Sequence, residues 1–402
     1  MNKNKILFLT NYYSALQESI INNNWNPKGM PAIYRLLEFL EDKKESFDYI
    51  FVDKKTKNDK IFKETIHLDR FQNSSLSILR LDKKKSILKI FDQYFFYKKV
   101  SNFLINNYNL NNYDVIYIDR GNVCLIPFIK KIFNGKIILR LHGILNYHEL
   151  FINSLKFKFL SWFLIYSFKQ KVDYVICSKD GSPTNFFLNH CINKKSPHTT
   201  LINGVDNYAS TNKINKSKIS YLFLGRLEKD KGIVEVINVF KKLIANYSDK
   251  IDLTIIGDGS LYTDISEKVS NINNITIYKS LPHSKIKNIF LDVDVLLSLN
   301  YIGNISNVVL EAISAEKAII SFKHNPVNLE DIESYDFLQN NAMYIDRNKI
   351  FEDLYELIVS NIEDSSIIDN YKTLTKIKLK PKLISWDERI NIEYKIIKSN
   401  YK

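Results

Sequence analysis

An arginine and a lysine, set in Gly225-Arg226-Leu227-Glu228-Lys229-Asp230-Lys231-Gly232, are the first residues in this chain whose types and spacing could do chemistry. They follow the apolar run Tyr221–Leu224 and precede an amphipathic stretch, Ile233–Ala245. Gly225, at the end of a strand, would let backbone approach a ligand. Arginine then offers a planar fork and lysine a point charge, a pair suited to a diphosphate. A basic surface turn would carry the same residues, so this segment alone leaves both readings open.

Two further pieces follow in the same half. The run Leu253–Ile256 ends in Gly257-Asp258-Gly259, a glycine turn after a strand that could equally be a plain tight turn. The run Asp294–Ser298 leads to Gly303-Asn304-Ile305-Ser306-Asn307-Val308-Val309-Leu310-Glu311-Ala312, a polar loop entering a helix. A helix N-terminus presents unpaired N–H groups to phosphate, and a carboxylate close behind can accept two ribose hydroxyls. Most helical acids are solvated. Glu311 has the apolar neighbours Val308, Val309, Leu310 and Ala312, so a buried, working carboxylate is expected.

Over Tyr221–Phe322 the order and spacing of these pieces resemble the C-terminal domain of family-4 retaining glycosyltransferases of the GT-B fold. The resemblance implies an α/β protein with two doubly wound Rossmann-like domains facing across a cleft. It implies that Arg226 and Lys231 bind the donor diphosphate and stabilise the leaving nucleotide. Glu311 would hold the ribose, and the loop Gly303–Val308, with Asn307 and Val308, would meet sugar and phosphates through backbone N–H groups. Gly225 and Gly257 would border the nucleotide. One residue departs from the pattern: Gly303 stands where the family carries the first acid of its motif, eight residues before Glu311.

In the first half, the run Lys136–Leu141 ends in His142-Gly143, where the family carries a cleft histidine that supports transfer. Ligands of doubly wound sheets bind at the carboxyl ends of strands, which favours a working histidine over a structural one. Pro27-Lys28-Gly29-Met30-Pro31 resembles the family's glycine loop, with Gly29 approaching phosphate or acceptor. Arg35 and Arg120 are further candidates for acceptor contacts. Asn203-Gly204-Val205-Asp206 and Ser385-Trp386 resemble family segments flanking the passage between domains.

The elements that must position these residues read as short apolar runs alternating with amphipathic helices, the pattern of parallel α/β sheets. Strands are expected at Lys5–Leu9, Tyr49–Val52, Val115–Ile118, Lys136–Leu141 and Tyr174–Cys177. A second series comprises Tyr221–Leu224, Leu253–Ile256, Ile275–Tyr278, Val295–Ser298 and Ala318–Phe322. The expected organisation is an N-terminal acceptor-binding domain over 1–206, a polar linker over 207–218, and a sugar-nucleotide domain over 219–385. A helix over 386–402 could belong with either domain.

The chain has 402 residues, enough for two cores, and 45% are hydrophobic, which excludes a disordered polymer. Its three cysteines have no metal or disulfide spacing and fit a reducing cytoplasm. No run is long enough to span a bilayer, so a soluble cytoplasmic protein is expected, with the inner face of the membrane as a candidate peripheral surface. The net charge of +13 fits anionic lipid or phosphorylated ligands, and no nucleic-acid motif accompanies it. Phe151–Lys171 reads as a core helix whose lysine stems reach outward, with a membrane-surface helix as the alternative. Lys83–Lys85 near Phe91–Lys99 poses the same choice. Asp292-Val293-Asp294 looks like a metal motif but falls where a helix passes into a strand, and is read as structural.

The function these readings imply is transfer of a sugar from a UDP- or GDP-sugar to an acceptor hydroxyl with retention. No metal or other cofactor is expected, and the acceptor would be a surface polysaccharide or lipid-linked glycan. A non-catalytic sugar-nucleotide-binding subunit and a GT-B sugar-nucleotide epimerase are the alternatives. The changed acid at Gly303 motivates the first of these.

Overall fold

The computed structural model describes residues 5–27, 29–54, 61–81, 89–144, 147–152, 155–208, 217–301, 303–324 and 332–399. Most of the expected linker (209–216) and Lys83–Lys85 lie outside them. The chain divides into two compact units. One comprises Met1–Ser178, Thr184–Leu201 and Asp387–Lys402; the other comprises Lys179–Pro183 and Ile202–Trp386. The division at Leu201 falls a few residues before the expected 206, because Val205 already bridges to Ser385 of the second unit.

In the first unit the strands are β1 (Ile6–Asn11), β2 (Phe47–Asp53), β3 (Phe62–Ile66), β4 (Ser75–Arg80), β5 (Val115–Asp119), β6 (Lys136–Leu141), β7 (Tyr174–Ser178) and β8 (His198–Leu201). They form one sheet in the order β3-β4-β2-β1-β5-β6-β7-β8, parallel except for the antiparallel pair β3–β4. The second unit holds β9 (Ile219–Leu224), β10 (Ile251–Ile256), β11 (Ile275–Tyr278), β12 (Val295–Ser298), β13 (Ala318–Phe322) and β14 (Met343–Ile345), in the order β11-β10-β9-β12-β13-β14. Its pairings are all parallel.

Strands covered on both faces read as unbroken apolar runs, and alternate residues then feed two separate cores. In β1, Leu7 and Leu9 join one cluster with Ile116 and Ile118, while Ile6 and Phe8 join another with Tyr49 and Tyr117. In the second unit Tyr221 and Phe223 of β9 pack on one face and Leu222 on the other. Each crossover brings the chain back to the same end of the sheet. The loops after β9, β10 and β12 are therefore gathered at the carboxyl edge of the second sheet, and those after β1, β5 and β6 at that of the first.

The helix Trp386–Lys398 belongs to the first unit, where Ile390, Ile396 and Ile397 enter its core. The expected core helix over Phe151–Lys171 is not one element. Helix Trp162–Phe168 buries Phe163 and Phe168, but helix Leu155–Leu160 has no buried residue. Alternating lysines and large apolar residues gave that short segment no face it could bury whole.

Candidate functional site

The second unit carries a cavity of about 190 Å³ where β9 and β12 end. The backbone of β9 runs through Leu224 into Gly225 and Arg226. Gly225 N–H donates to the Ile256 carbonyl at 3.0 Å and Leu227 N–H to the Asp258 carbonyl at 2.9 Å. These bonds lock the first turn onto the second. Gly257 is required for that approach: a Cβ there would lie 1.8 Å from the Gly225 carbonyl oxygen. Gly232, at φ 68°, starts the helix Ile233–Tyr247 against Leu299 and leaves Lys231 on the cavity wall.

The opposite wall is the loop from β12 into helix Asn307–Ser314. Asn304, fully buried, holds this loop together. Its side-chain oxygen accepts from Ser298 Oγ at 2.9 Å and from Asn300 N–H at 3.1 Å, and its amide donates to the Asn300 carbonyl at 2.8 Å. Its own N–H donates to Ser334 Oγ at 2.9 Å. Ser306 caps the helix by accepting from Val309 N–H at 3.3 Å, in the manner of N-cap residues. The positive end of that helix therefore borders the cavity beside Ser306 and Val308.

Of the sequence-predicted residues, Gly225, Arg226, Lys231 and Val308 meet on this one cavity. Gly257 supports it from beneath. Asn307 does not line it; its side-chain oxygen accepts from Asn203 Nδ2 at 2.8 Å. Glu311 also lies off the cavity lining. It is half-buried rather than buried, because its two flanks differ: Leu310 and Ala312 enter the core while the carboxylate faces Tyr208. Burial above all, then the carboxylates of Glu311 and Asp206, raises the pKa of the Tyr208 phenol. Sequence reasoning named the loop Gly303–Val308 without singling out Asn304 or Ser306, and it passed over Ser298 and Asn300. Only Ser306 had a readable signal, a serine immediately before an apolar helical run.

Gly303 has φ 78°, and a Cβ there would sit 3.0 Å from the Asp180 carbonyl oxygen. The same carbonyl accepts from Ile305 N–H at 3.0 Å. An L-residue here would be strained, so an acid at this position would carry a backbone cost as well as a change of side chain. Asp294 accepts from Ser220 N–H at 3.0 Å and pairs with Lys372 at 2.5 Å, which ties it into the scaffold.

The remaining candidates lie in the first unit. Gly29 stands against Ala15, just ahead of helix Pro31–Asp42. His142 follows β6, half-buried, with its Nε2 shut from solvent and without a partner among the described residues. Burial, then the charges of Arg140, Arg120 and Arg389, holds its imidazole well below the usual histidine range, so the ring is neutral near pH 7. Arg120 donates to the Gly143 carbonyl and lies over the Tyr147 ring at 4.9 Å, while Arg35 lies over Tyr34. Beneath His142, Arg140 and Arg389 both pair with Glu393, and all three are fully buried. Asp119, which the sequence reading passed over, accepts from Tyr13 OH at 2.6 Å and Asn11 N–H at 2.8 Å, fixing the end of β1.

Two parallel-sheet α/β units of this topology make the protein a GT-B fold. Solved structures align with it over nearly the full chain. A sucrose-phosphate synthase from Thermosynechococcus elongatus matches with TM-score 0.64 and 11% identity, covering 98% of each chain. A structure described as trehalose-6-phosphate from E. coli bound with UDP-2-fluoro glucose matches with TM-score 0.64 and 12% identity, covering 98% of this chain and 99% of that one. Residues 205–374, which contain the cavity, match the family described as glycosyl transferases group 1. The chain is similar to that family over this part, 170 of its 402 residues. It is also 25% identical over 238 residues to an uncharacterized glycosyltransferase of Methanocaldococcus jannaschii, an alignment covering 57% of this chain and 58% of that relative.

Proposed function

We propose that the protein is a glycosyltransferase that moves a hexose-type sugar from a nucleoside diphosphate to an acceptor hydroxyl. The observation that carries this reading is the convergence of Arg226, Lys231 and the N-terminus of helix Asn307–Ser314 on one cavity. Departure of a nucleoside diphosphate develops negative charge on phosphate oxygens. Preorganised cationic and N–H donors stabilise that charge more than they stabilise the bound donor. Arg226 is exposed and adaptable, whereas Lys231 is held by the turn through Gly232. Glu311 would hold the ribose from beside the cavity.

On this reading no metal is needed, since the guanidinium, the ammonium and the helix end supply the compensating charge. Retention at the anomeric carbon is proposed on the motif resemblance of Tyr221–Phe322. For the acceptor we propose a glycan or lipid-linked glycan.

The test is release of nucleotide from a panel of UDP-, GDP-, ADP- and dTDP-sugars, with and without EDTA. One UDP- or GDP-sugar should turn over, unaffected by EDTA, and Arg226→Ala should lower the rate by about 10²–10³-fold. Glu311→Ala should raise KM for the donor more than it lowers kcat. Nucleotide binding unchanged in both variants would remove the site assignment. The path of the loop at Gly303 supports a second reading, a sugar-nucleotide-binding subunit without turnover. In that case Arg226→Ala weakens binding of UDP or GDP, yet no donor is consumed with any acceptor.

A further inference from the structure

The first unit leaves a set of large apolar side chains in water at one place. Leu155 is 84% exposed and Phe159 66%, and they stand four residues apart on helix Leu155–Leu160, so they share one face. At 100° per residue, Lys156 and Lys158 fall on either side of that face. The neighbouring turn Lys89–Phe91 packs beside this helix and adds Phe91, 40% exposed; Phe95, 58% exposed, follows in helix Asp92–Asn107. Trp162 joins the two segments: its Nε1 donates to the Ile90 carbonyl at 3.0 Å, and its ring lies 6.1 Å from that of Phe91. The apolar side chains are therefore presented from a fixed base, and they are grouped, unlike the scattered surface leucines of ordinary proteins.

The charge around the patch is mostly positive, with half-buried Asp92, between Phe91 and Phe95, as an acid beside it. From Leu155 to Lys171 the sequence holds Lys156, Lys158, Lys169 and Lys171 and no acidic residue, and Lys98 is exposed on the adjoining helix. A centre of Leu and Phe flanked by lysines matches the interface of an anionic bilayer: the rings enter the acyl boundary while the ammonium groups stay among phosphates. A second copy on a two-fold axis would instead bring these lysines against one another. No helix among the described residues is long and apolar enough to cross a membrane, so the contact would be interfacial.

We propose that this face, centred on Leu155, Phe159, Phe91 and Phe95, docks the protein on an anionic lipid surface. The inference concerns the first unit alone and is independent of the donor chemistry.

The experiment is flotation of the full chain with phosphatidylcholine vesicles and with the same vesicles containing phosphatidylglycerol. Binding is expected to the second only and to weaken as salt is raised. Joint replacement Leu155→Glu, Phe159→Glu should abolish it. Lys156→Glu, Lys158→Glu should reduce it by more than the roughly fivefold that each lysine contributes near such a surface. Because these side chains are exposed, unchanged melting curves confirm that the variants are folded. The proposal fails if the protein floats with neither vesicle, or if it floats equally well with the apolar pair replaced. It fails also if sedimentation shows a dimer that the same pair converts to monomer without any lipid binding, which would assign the face to a second copy.

Discussion

The two parallel sheets put their cations to opposite uses. At the carboxyl edge of the second sheet, Arg226 and Lys231 stand on the wall of a cavity, beside a helix end that also seeks an anion. At the carboxyl end of β6 in the first sheet, Arg140 is sealed from water, and together with Arg389 it takes its counter-charge from Glu393. Arg140 also donates to Ser178 Oγ at 2.9 Å, and Tyr117 donates to Glu393. A cation sealed from water with its counter-charge cannot reach a ligand, whereas one on a cavity wall can. The topology is shared, and the protein supplies a carboxylate in both places, Asp230 lying 3.9 Å from Lys231; the difference is that Arg140 and Glu393 are shut from water while Asp230 is largely exposed.

The sharpest way to break this comparison is to remove the internal counter-charge. Glu393→Ala would strand two buried guanidinium groups and should destabilise the protein by about 3–5 kcal/mol, read as a lowered unfolding midpoint in urea. Glu393→Gln, which keeps shape and hydrogen bonding but not charge, should recover only part of this. If Glu393→Ala unfolds like the wild type, the ion network does not hold the first unit together. In the second unit the corresponding test is Gly303→Glu, which restores the acid of the family pattern. The left-handed backbone and the Asp180 carbonyl at 3.0 Å predict a loss of about 1–2 kcal/mol. Gly303→Ala should lose a similar amount, since the strain comes from Cβ, and neither should speed nucleotide release. Faster turnover in Gly303→Glu would show that the loop accepts an acid after all.

What could be read from the sequence follows the same division. The ten expected strands appear because most are buried and rich in apolar residues, whereas the sequence reading does not anticipate β3, β4, β8 and β14. β3 is almost wholly exposed, β8 is four residues with a polar middle, and β14 is three residues long. The cavity residues around Gly225 and Lys231 were legible because glycine turns and cations recur at short spacing along one crossover. The network beneath His142 was not, since Arg140 and Glu393 lie 253 residues apart and meet only after folding. The role of Asn304 escaped for a different reason: a loop asparagine looks the same whether it is solvated or makes four hydrogen bonds within the protein. The helix Leu155–Leu160 reads as core only if a partner covers it, and the described residues of the first unit leave Leu155 and Phe159 exposed.

The smallest expected effect falls on His142, where the two regions' uses of charge can be separated by pH. Its folded-state pKa is depressed, by burial first and then by Arg140, Arg120 and Arg389. Between that value and the ordinary histidine pKa of about 6.5 the unfolded chain binds a proton that the folded chain does not. The sign is therefore fixed: this contribution to stability is complete above the unfolded value and declines as pH falls below it. His142→Gln should flatten that part of the profile of Tm against pH, because glutamine has no proton to gain. The slope should be steeper if Glu393→Gln is introduced first, since removing the buried carboxylate leaves the neighbouring guanidinium charges less compensated and depresses the imidazole further. If the slope is the same with and without His142, the imidazole is not held neutral by this network, and the first unit's cations are less committed to one another than their geometry indicates.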